Sequence, residues 1–462
     1  MRLNVFKPKP HPRTHEGARA RIITPDQALR RSVLSCMLWE GEFYEDGVQI
    51  AGRIHELVPR VEAEKVAALA VEARERMKLR HAPLLLVREM ARCATHRGLV
   101  AETLTRVIQR ADELSEFVAI YWAMGRQPLS AQVKKGLAAA FSKFGEYALA
   151  KYDRAGAVRL RDVLFLCHAR PVDEAQAALW KRLVDNQLAT PDTWEVALSA
   201  AGRGGGANKR EVWERLLREH KLGALALLRN LRNLHLAGVS EDLVLAALEA
   251  LKTDRVLPFR FLAAARSAPQ WEQPLEAAMF RALKGRIARL PGHTVLLVDV
   301  SGSMEAPLSR RSEMRRTDAA YGLAILLREI AEKVSIYTFS DHTKLVAPRR
   351  GMALRDALDA SQPHSGTYLG KALGEVEAEC RIGYDRLIVI TDEQSHDNVS
   401  APRAKGYVIN VASNANGVGY GLWTHIDGWS EALVDYIAEL ETAQAERLPV
   451  RSSAQTTLGS GL

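Results

Sequence analysis

Cysteine is scarce: Cys36, Cys93, Cys167 and Cys380 are the only four in 462 residues, far apart and without a C-x-x-C pair. That spacing argues against both a disulfide framework and a zinc module. Aromatic residues make up only 6% of the chain. No stretch reaches the roughly 18 uninterrupted apolar residues of a membrane span, and the basic opening MRLNVFKPKPHPRTHEG lacks the apolar run of a secretion signal. A soluble cytoplasmic protein with reduced thiols and no membrane partner is expected. A nucleotide-binding P-loop is missing as well. Its only candidate, AGRGGGANKR (Ala201 to Arg210), has no strand before it, and Lys209 is followed by Arg210 where Ser or Thr is required. It reads as a flexible basic loop.

What is present suits packed domains, since 47% of the residues are hydrophobic and 26% charged. The chain is too long for one ordinary core. From about Thr24 to Leu290 apolar residues recur at helical spacing, as in Val61, Val66, Leu69, Ala73 and Met77, and strand alternation is absent. Breaks at Pro83, Gly98, Gly125 with Pro128, Pro171, Pro191, Gly223 and Gly238 leave segments of helix length. Ser240, before Glu241 and Asp242, is a predicted helix N-cap. Antiparallel helix pairs follow, stacked as an array or folded as a compact bundle; no fixed-period repeat decides between them.

Charge divides the chain at Pro291. Residues 1–290 carry 47 Lys and Arg against 33 Asp and Glu, a surplus of +14, whereas the remainder carries 17 against 22, a balance of −5. A basic surplus of that size is the electrostatic footprint of a nucleic-acid binder, although a solubilising surface would look the same. Beyond Pro291 strands alternate with helices: HTVLLVDV, VSIYTFS, RLIVITD and GYVINV, with helices near Met314 to Lys333, Met352 to Ala360, Tyr368 to Cys380 and Glu431 to Leu440. Strands apolar along their whole length indicate a doubly wound parallel sheet covered on both faces. The end VRSSAQTTLGSGL is polar and small, so residues 446–462 are expected to form a flexible tail.

Ligand sites in such sheets lie beyond the carboxyl ends of the strands. Asp299, Ser301 and Ser303 form D-x-S-x-S after the first strand, Thr367 precedes a helix in HSGTYLG, and Asp392 closes RLIVITD. Hydroxyls and carboxylates in that number make an incomplete octahedron of hard oxygens suited to Mg²⁺ or another divalent cation, with one position open to a partner. The set resembles the metal-ion-dependent adhesion site of a von Willebrand factor A domain, which implies binding in place of catalysis. His293, His342, His364 and His396 occur singly, and no nucleophile with a base stands out.

In the helical half, CMLWEGEFYEDG (Cys36 to Gly47), LRDVLFLCHARP (Leu160 to Pro171) and LGALALLRNLRNL (Leu222 to Leu234) resemble the Ro autoantigen family, whose RNA-binding module is called TROVE. A TROVE module followed by a von Willebrand A domain is that family's arrangement. The resemblance implies an all-α ring of HEAT-like hairpins over residues 1–290 closed by an α/β domain over 291–445. It implies a monomer that takes single-stranded RNA 3′ ends in a central channel and a small Y-like RNA outside. An exoribonuclease is the implied protein partner, and RNA quality control or maturation the implied role. By the match around CHARP, His168 falls on an RNA-contacting histidine and Lys151 on an accompanying basic position. The next basic position is Ala155 here, with Arg154 beside it. A helix-terminal His168 bonded to a carbonyl is the competing reading.

Arg229 and Arg232 are candidates for the channel wall, with Leu225, Leu228 and Leu231 expected on the other face of their helix. Tyr121 and Trp122 continue an apolar helix and read as core. Lys134, Lys135 and Lys143 alternate with Phe141 and Phe144, as a basic RNA face over an aromatic stripe would. Two other functions stay open: a metal-dependent protein-adhesion module with a helical scaffold, and an accessory partner of an ATPase.

Overall fold

The computed structural model describes residues 11–14, 16–20, 22–34, 47–202, 208–253, 256, 258–284, 289–308, 314–380, 383–412, 416–428, 437 and 441. The segment Cys36 to Asp46, most of the expected helix at 431–440 and the expected tail lie outside the described residues. Described residues from Pro25 to Lys284 are helical apart from short connections, as the three- and four-residue apolar spacing predicts. Helices pack on the next helix or on the next but one: Ala63–Glu75 on His81–Arg92, Val100–Val107 on Ala131–Phe141, and Ala131–Phe141 on Leu160–Cys167. Ser240 stands at the N-cap of helix Glu241–Glu249, but its hydroxyl makes no cap bond; Glu241 and Asp242 in the first turn complement the helix dipole instead.

Burial of the apolar faces produces two large cores. One runs from Leu29 to Leu183 within the early helices. The other begins at Trp213, includes Leu228, Leu231 and Phe261, and continues without interruption into Leu326, Ile388 and Ile409 of the α/β part. The boundary at Pro291 therefore separates helix from sheet but not one core from another. The changeover between cores falls near Asp185 to Thr193, well inside the helical half.

The sheet has six strands: β1 (Leu290–Asp299), β2 (Ala331–Phe339), β3 (Thr343–Leu345), β4 (Arg386–Thr391), β5 (Lys405–Asn410) and β6 (Thr424–Asp427). Their order is β3-β2-β1-β4-β5-β6, and all pairings are parallel except the β2–β3 hairpin at the edge. Alternation explains the apolar runs: Leu296, Val298, Ile388 and Ile390 face helix Arg316–Ile330, whereas Val295, Leu297, Leu387 and Val389 face helix Leu369–Glu379. The antiparallel β3 and the short β6 are additions to the expected strands. They are too short and mixed to carry a periodic signal.

Both ends of the helical half rest on this sheet domain. At the late end, helix Pro258–Ser267 packs on helix Arg316–Ile330 so closely that a side chain at Gly322 would stand 3.0 Å from Phe259. At the early end, the Thr14 hydroxyl donates to the Ser395 carbonyl at 2.8 Å, Ala18 is buried against the sheet, and helix Pro25–Leu34 reaches β6. The array is thereby closed on itself.

A buried charge network holds the closure. Arg31, 2% exposed, donates to Glu393 Oε2 at 2.8 Å; Glu393 also bonds His425, whose Nδ1 lies 3.3 Å from Asp427. Gly417 is required beside it, because a Cβ there would fall 2.0 Å from the Glu393 carboxylate. Burial alone would raise the Glu393 carboxyl, yet Arg31 and His425 hold it down at about 2. Burial likewise works against a charged His425, but Asp427 and Glu393 outweigh it and raise the imidazole to about 9.

Removing Arg31 as Arg31→Ala should strand a buried carboxylate and cost about 3–5 kcal/mol of stability in denaturant unfolding. The His425 contribution has a defined sign. It is complete below the ordinary imidazole value of 6.5 and is lost as pH rises through about 9. Wild-type stability should fall by roughly 2–4 kcal/mol across that interval, and His425→Gln should flatten this alkaline limb. An equally steep limb in the variant would rule the network out as its source.

Candidate metal centre and nucleic-acid interface

The chain reverses direction across the sheet between β1 and β4, and the carboxyl ends of these two strands form a topological switch point. Asp299 ends β1 and Asp392 follows β4; both are fully buried. The Ser301 amide donates to Asp299 Oδ1 at 2.9 Å, and the Ser301 and Ser303 hydroxyls lie 3.3 Å apart. Thr391 donates to Asp299 Oδ2 at 2.6 Å, which ties the two strand ends together. Thr367 joins through its loop: the Gly302 amide donates to the Ser365 carbonyl at 2.8 Å, and the Thr367 carbonyl accepts from the His396 amide at 2.8 Å. All five expected oxygen ligands, Asp299, Ser301, Ser303, Thr367 and Asp392, thus border one region.

Arg316 enters the same region. Its guanidinium, 1% exposed, donates to Asp392 Oδ2 at 3.2 Å and to the Ser303 carbonyl at 3.4 Å. Burial and the facing Asp392 raise the Asp299 carboxyl to about 7 even so. The field is one that further positive charge would relieve. The donor set fits a hard divalent cation held by Asp299, Ser301 and Ser303, with Asp392, already bonded to Arg316, suited to act through water. Sequence spacing had no means of finding Arg316, which lies in RRTDAAYG and arrives by the packing of its helix. Arg316→Met should cost about 3 kcal/mol in chelator-treated protein by leaving the buried carboxylates uncompensated. An unchanged unfolding midpoint would show that the guanidinium does not hold this site together.

Three of the four single histidines, His293, His364 and His396, have side-chain partners. His364 bonds Glu305 at 2.5 Å, and His396 lies 3.1 Å from Glu16. His293 Nε2 is 3.0 Å from the Ser335 hydroxyl, but its other nitrogen meets the Gly383 carbonyl, and the pair sits toward the amino ends of β1 and β2, away from the switch point.

The helical half distributes its cations unevenly. Lys181, Arg182, Arg210, Arg215, Arg218 and Lys221 are each paired with a carboxylate. Lys134, Lys135, Lys151, Arg154, Arg229 and Arg232 have no ion pair among the described residues. Lys151 and Arg154 line a cavity of about 360 Å³ with Arg159, Asn186 and Pro191, at the changeover between the two cores. His168 is not among the lining residues. It is exposed, in the left-handed conformation (φ 55°) at the end of helix Leu160–Cys167, and its ring has no hydrogen bond among the described residues. The carbonyl-bonded reading of His168 therefore does not hold. Burial raises the Cys167 thiol at this helix end, with Lys134 a minor opposing influence; of the expected residues, only Lys151 and Arg154 share a cavity.

Arg229 and Arg232 are exposed on helix Ala224–Leu236. The buried stripe is Leu227, Leu228, Leu231 and Leu234; Leu225, expected to be inside, is 47% exposed because the stripe begins two residues later at Leu227. Burial and the neighbouring Arg229 push the Arg260 guanidinium down, an unpaired cation that spacing did not reveal. Lys143 is removed from the basic face: its amine bonds the Thr105 and Ile108 carbonyls at the end of helix Val100–Val107. Tyr121, Phe141 and Phe144 are buried as expected, and Trp122 is half-buried with its indole donating to the Gln127 carbonyl.

Residues 171–364 match the family model of the TROVE domain. That segment, somewhat under half of the chain, is similar to the TROVE domain. The matched segment spans Arg229, Arg232, Asp299, Ser301 and Ser303, crosses Pro291, and leaves out Lys134, Lys135, Lys151, Arg154 and His168. Its fold is that of the Deinococcus radiodurans Ro (RSR) protein, whose crystal structure aligns with a TM-score of 0.61 at 20% identity, covering 91% of this chain and all of that one. Curated relatives include telomerase protein component 1 of Rattus norvegicus, 30% identical over 164 residues, and of Mus musculus, 37% identical over 117 residues. The matches cover 34% and 24% of this chain but only 6% and 4% of those much longer proteins. No helix among the described residues is long and apolar enough to cross a membrane.

Proposed function

We propose that this protein is a non-catalytic RNA binder of Ro type, acting in RNA quality control or maturation. One observation carries the reading: the cations singled out for RNA contact are among those left without carboxylates, while several neighbouring cations are paired within the protein. Unpaired Lys and Arg keep their full attraction for phosphate and release condensed counterions on binding. In this reading Arg229 and Arg232 hold single-stranded 3′ ends, Lys151, Arg154 and His168 hold a structured Y-like RNA, and Lys134 with Lys135 add a further basic RNA face. Exonuclease recruitment belongs to the same reading.

Neutralising Arg229 and Arg232 together should weaken a tailed single strand roughly 10- to 150-fold and spare a structured RNA. Lys151→Ala with His168→Ala should do the reverse. Fluorescence anisotropy over a salt series checks both, on variants that melt like the wild type. Parallel loss of both RNA classes in folded variants would leave a single shared surface.

The switch-point oxygens hold a divalent cation in this proposal, open to an acidic group of a protein partner. Asp299→Ala should abolish Mn²⁺ binding in calorimetry and leave tailed-RNA affinity within a few fold, because the metal region and the unpaired cations lie on different elements. Undiminished Mn²⁺ binding by the variant would disprove the ligand assignment.

A further inference from the structure

Three helices enclose a cavity of about 850 Å³ that the RNA-contact cations do not line. Helix Trp194–Gly202 contributes Trp194, Glu195 and Leu198; helix Lys209–Arg218 contributes Lys209 and Trp213, one turn apart on one face. Helix Ala224–Leu236 contributes Asn230, Asn233 and Leu236. Their chemistry is unusual for a surface depression. Trp194 is half-buried and stacked on the buried Trp213, with ring centroids 6.1 Å apart and planes at 20°. The exposed Asn233 donates to Asn230 at 2.9 Å, which leaves its amide oxygen without a partner among the described residues. One carboxylate oxygen of Glu195 is buried and also without a hydrogen-bond partner. Leu236, 72% exposed, adds an apolar rim.

A flat aromatic wall, an exposed amide oxygen free to bond a ligand, a buried carboxylate oxygen without a partner and a cation at the edge match one class of ligand. We propose that this cavity is a nucleotide site, in which a base stacks against Trp194, turns its hydrogen-bonding edge to Asn233, and places its phosphate at Lys209. The nucleotide comes from single-stranded RNA or from free mononucleotide. For the first source the proposal rests on the RNA-binding reading above, since Arg229 and Arg232 on the helix that supplies Asn233 would carry the adjoining phosphates. Stacking is sequence-tolerant because every base has a π face, so the site grips strands without reading them closely.

The test uses the full chain, a fluorescent oligoadenylate and the same strand carrying abasic riboses. Trp194→Ala should weaken the oligoadenylate roughly 5- to 100-fold, leave the abasic strand unaffected, and leave the salt slope unchanged because no phosphate contact is lost. Trp194→Phe should retain most of the affinity. Should Trp194→Ala not fold, Asn233→Leu, a substitution at an exposed position, replaces it with the same expected discrimination of several fold. Equal effects on both strands, or none, would overturn the pocket. If the wild type binds neither strand, the RNA reading falls by itself; quenching of tryptophan fluorescence by AMP that is lost in Asn233→Leu then upholds a mononucleotide site, and absence of quenching overturns it.

Discussion

The buried pairing of Arg31 with Glu393, flanked by His425 and Asp427, is the constraint on which the architecture depends. It joins the first described helix to the loop after β4 and to β6, nearly four hundred residues away in sequence. An ion pair out of water is a poor source of net stability, since desolvation offsets most of the attraction. Its value is in specificity: a hydrophobic contact at this seam would tolerate sliding, whereas an uncompensated charge would not. A helical array held at both ends by one rigid sheet cannot adjust its curvature freely. The positions of all its exposed cations follow from that restriction.

The closure and the candidate metal region also share a loop. Asp392 turns toward Arg316 and Asp299, and Glu393, the next residue, turns toward Arg31. A short segment at the end of β4 is therefore braced from both sides by arginines that come from different helices. Charge balance at the switch point is correspondingly local: two carboxylates, one guanidinium and several hydroxyls, with the Asp299 carboxyl pushed up to about 7 by burial and the facing Asp392.

Net charge says little about which cations face a ligand. The helical half carries a surplus of +14, but many of its Lys and Arg residues are neutralised through i,i+4 pairs such as Arg215 with Glu219 or through partners about thirty residues away, as in Lys221 with Asp192. The first kind can be seen in the sequence by spacing. The second cannot. The spatially unpaired set that remains among the described residues includes Arg260, which no motif marked.

Periodicity and strand composition by themselves determined the helical half, the alternating α/β half and the carboxyl-end oxygens Asp299, Ser301, Ser303, Thr367 and Asp392. Each of these is recorded in a local pattern: a 3.6-residue repeat, an apolar run, or polar residues just past it. Tertiary structure decided what depends on distant partners. Arg316 reached Asp392 only by the packing of its helix, and Lys143 was withdrawn from the basic face by the carbonyls of Thr105 and Ile108. Leu225 was left outside a buried stripe that begins two residues later at Leu227, and His168 was parted from the cavity of Lys151 and Arg154. The hydrophobic boundary near Asp185 to Thr193 was hidden as well, since apolar spacing shows that a helix buries one face but not which neighbour covers it. That partner is chosen by the closure of the whole chain.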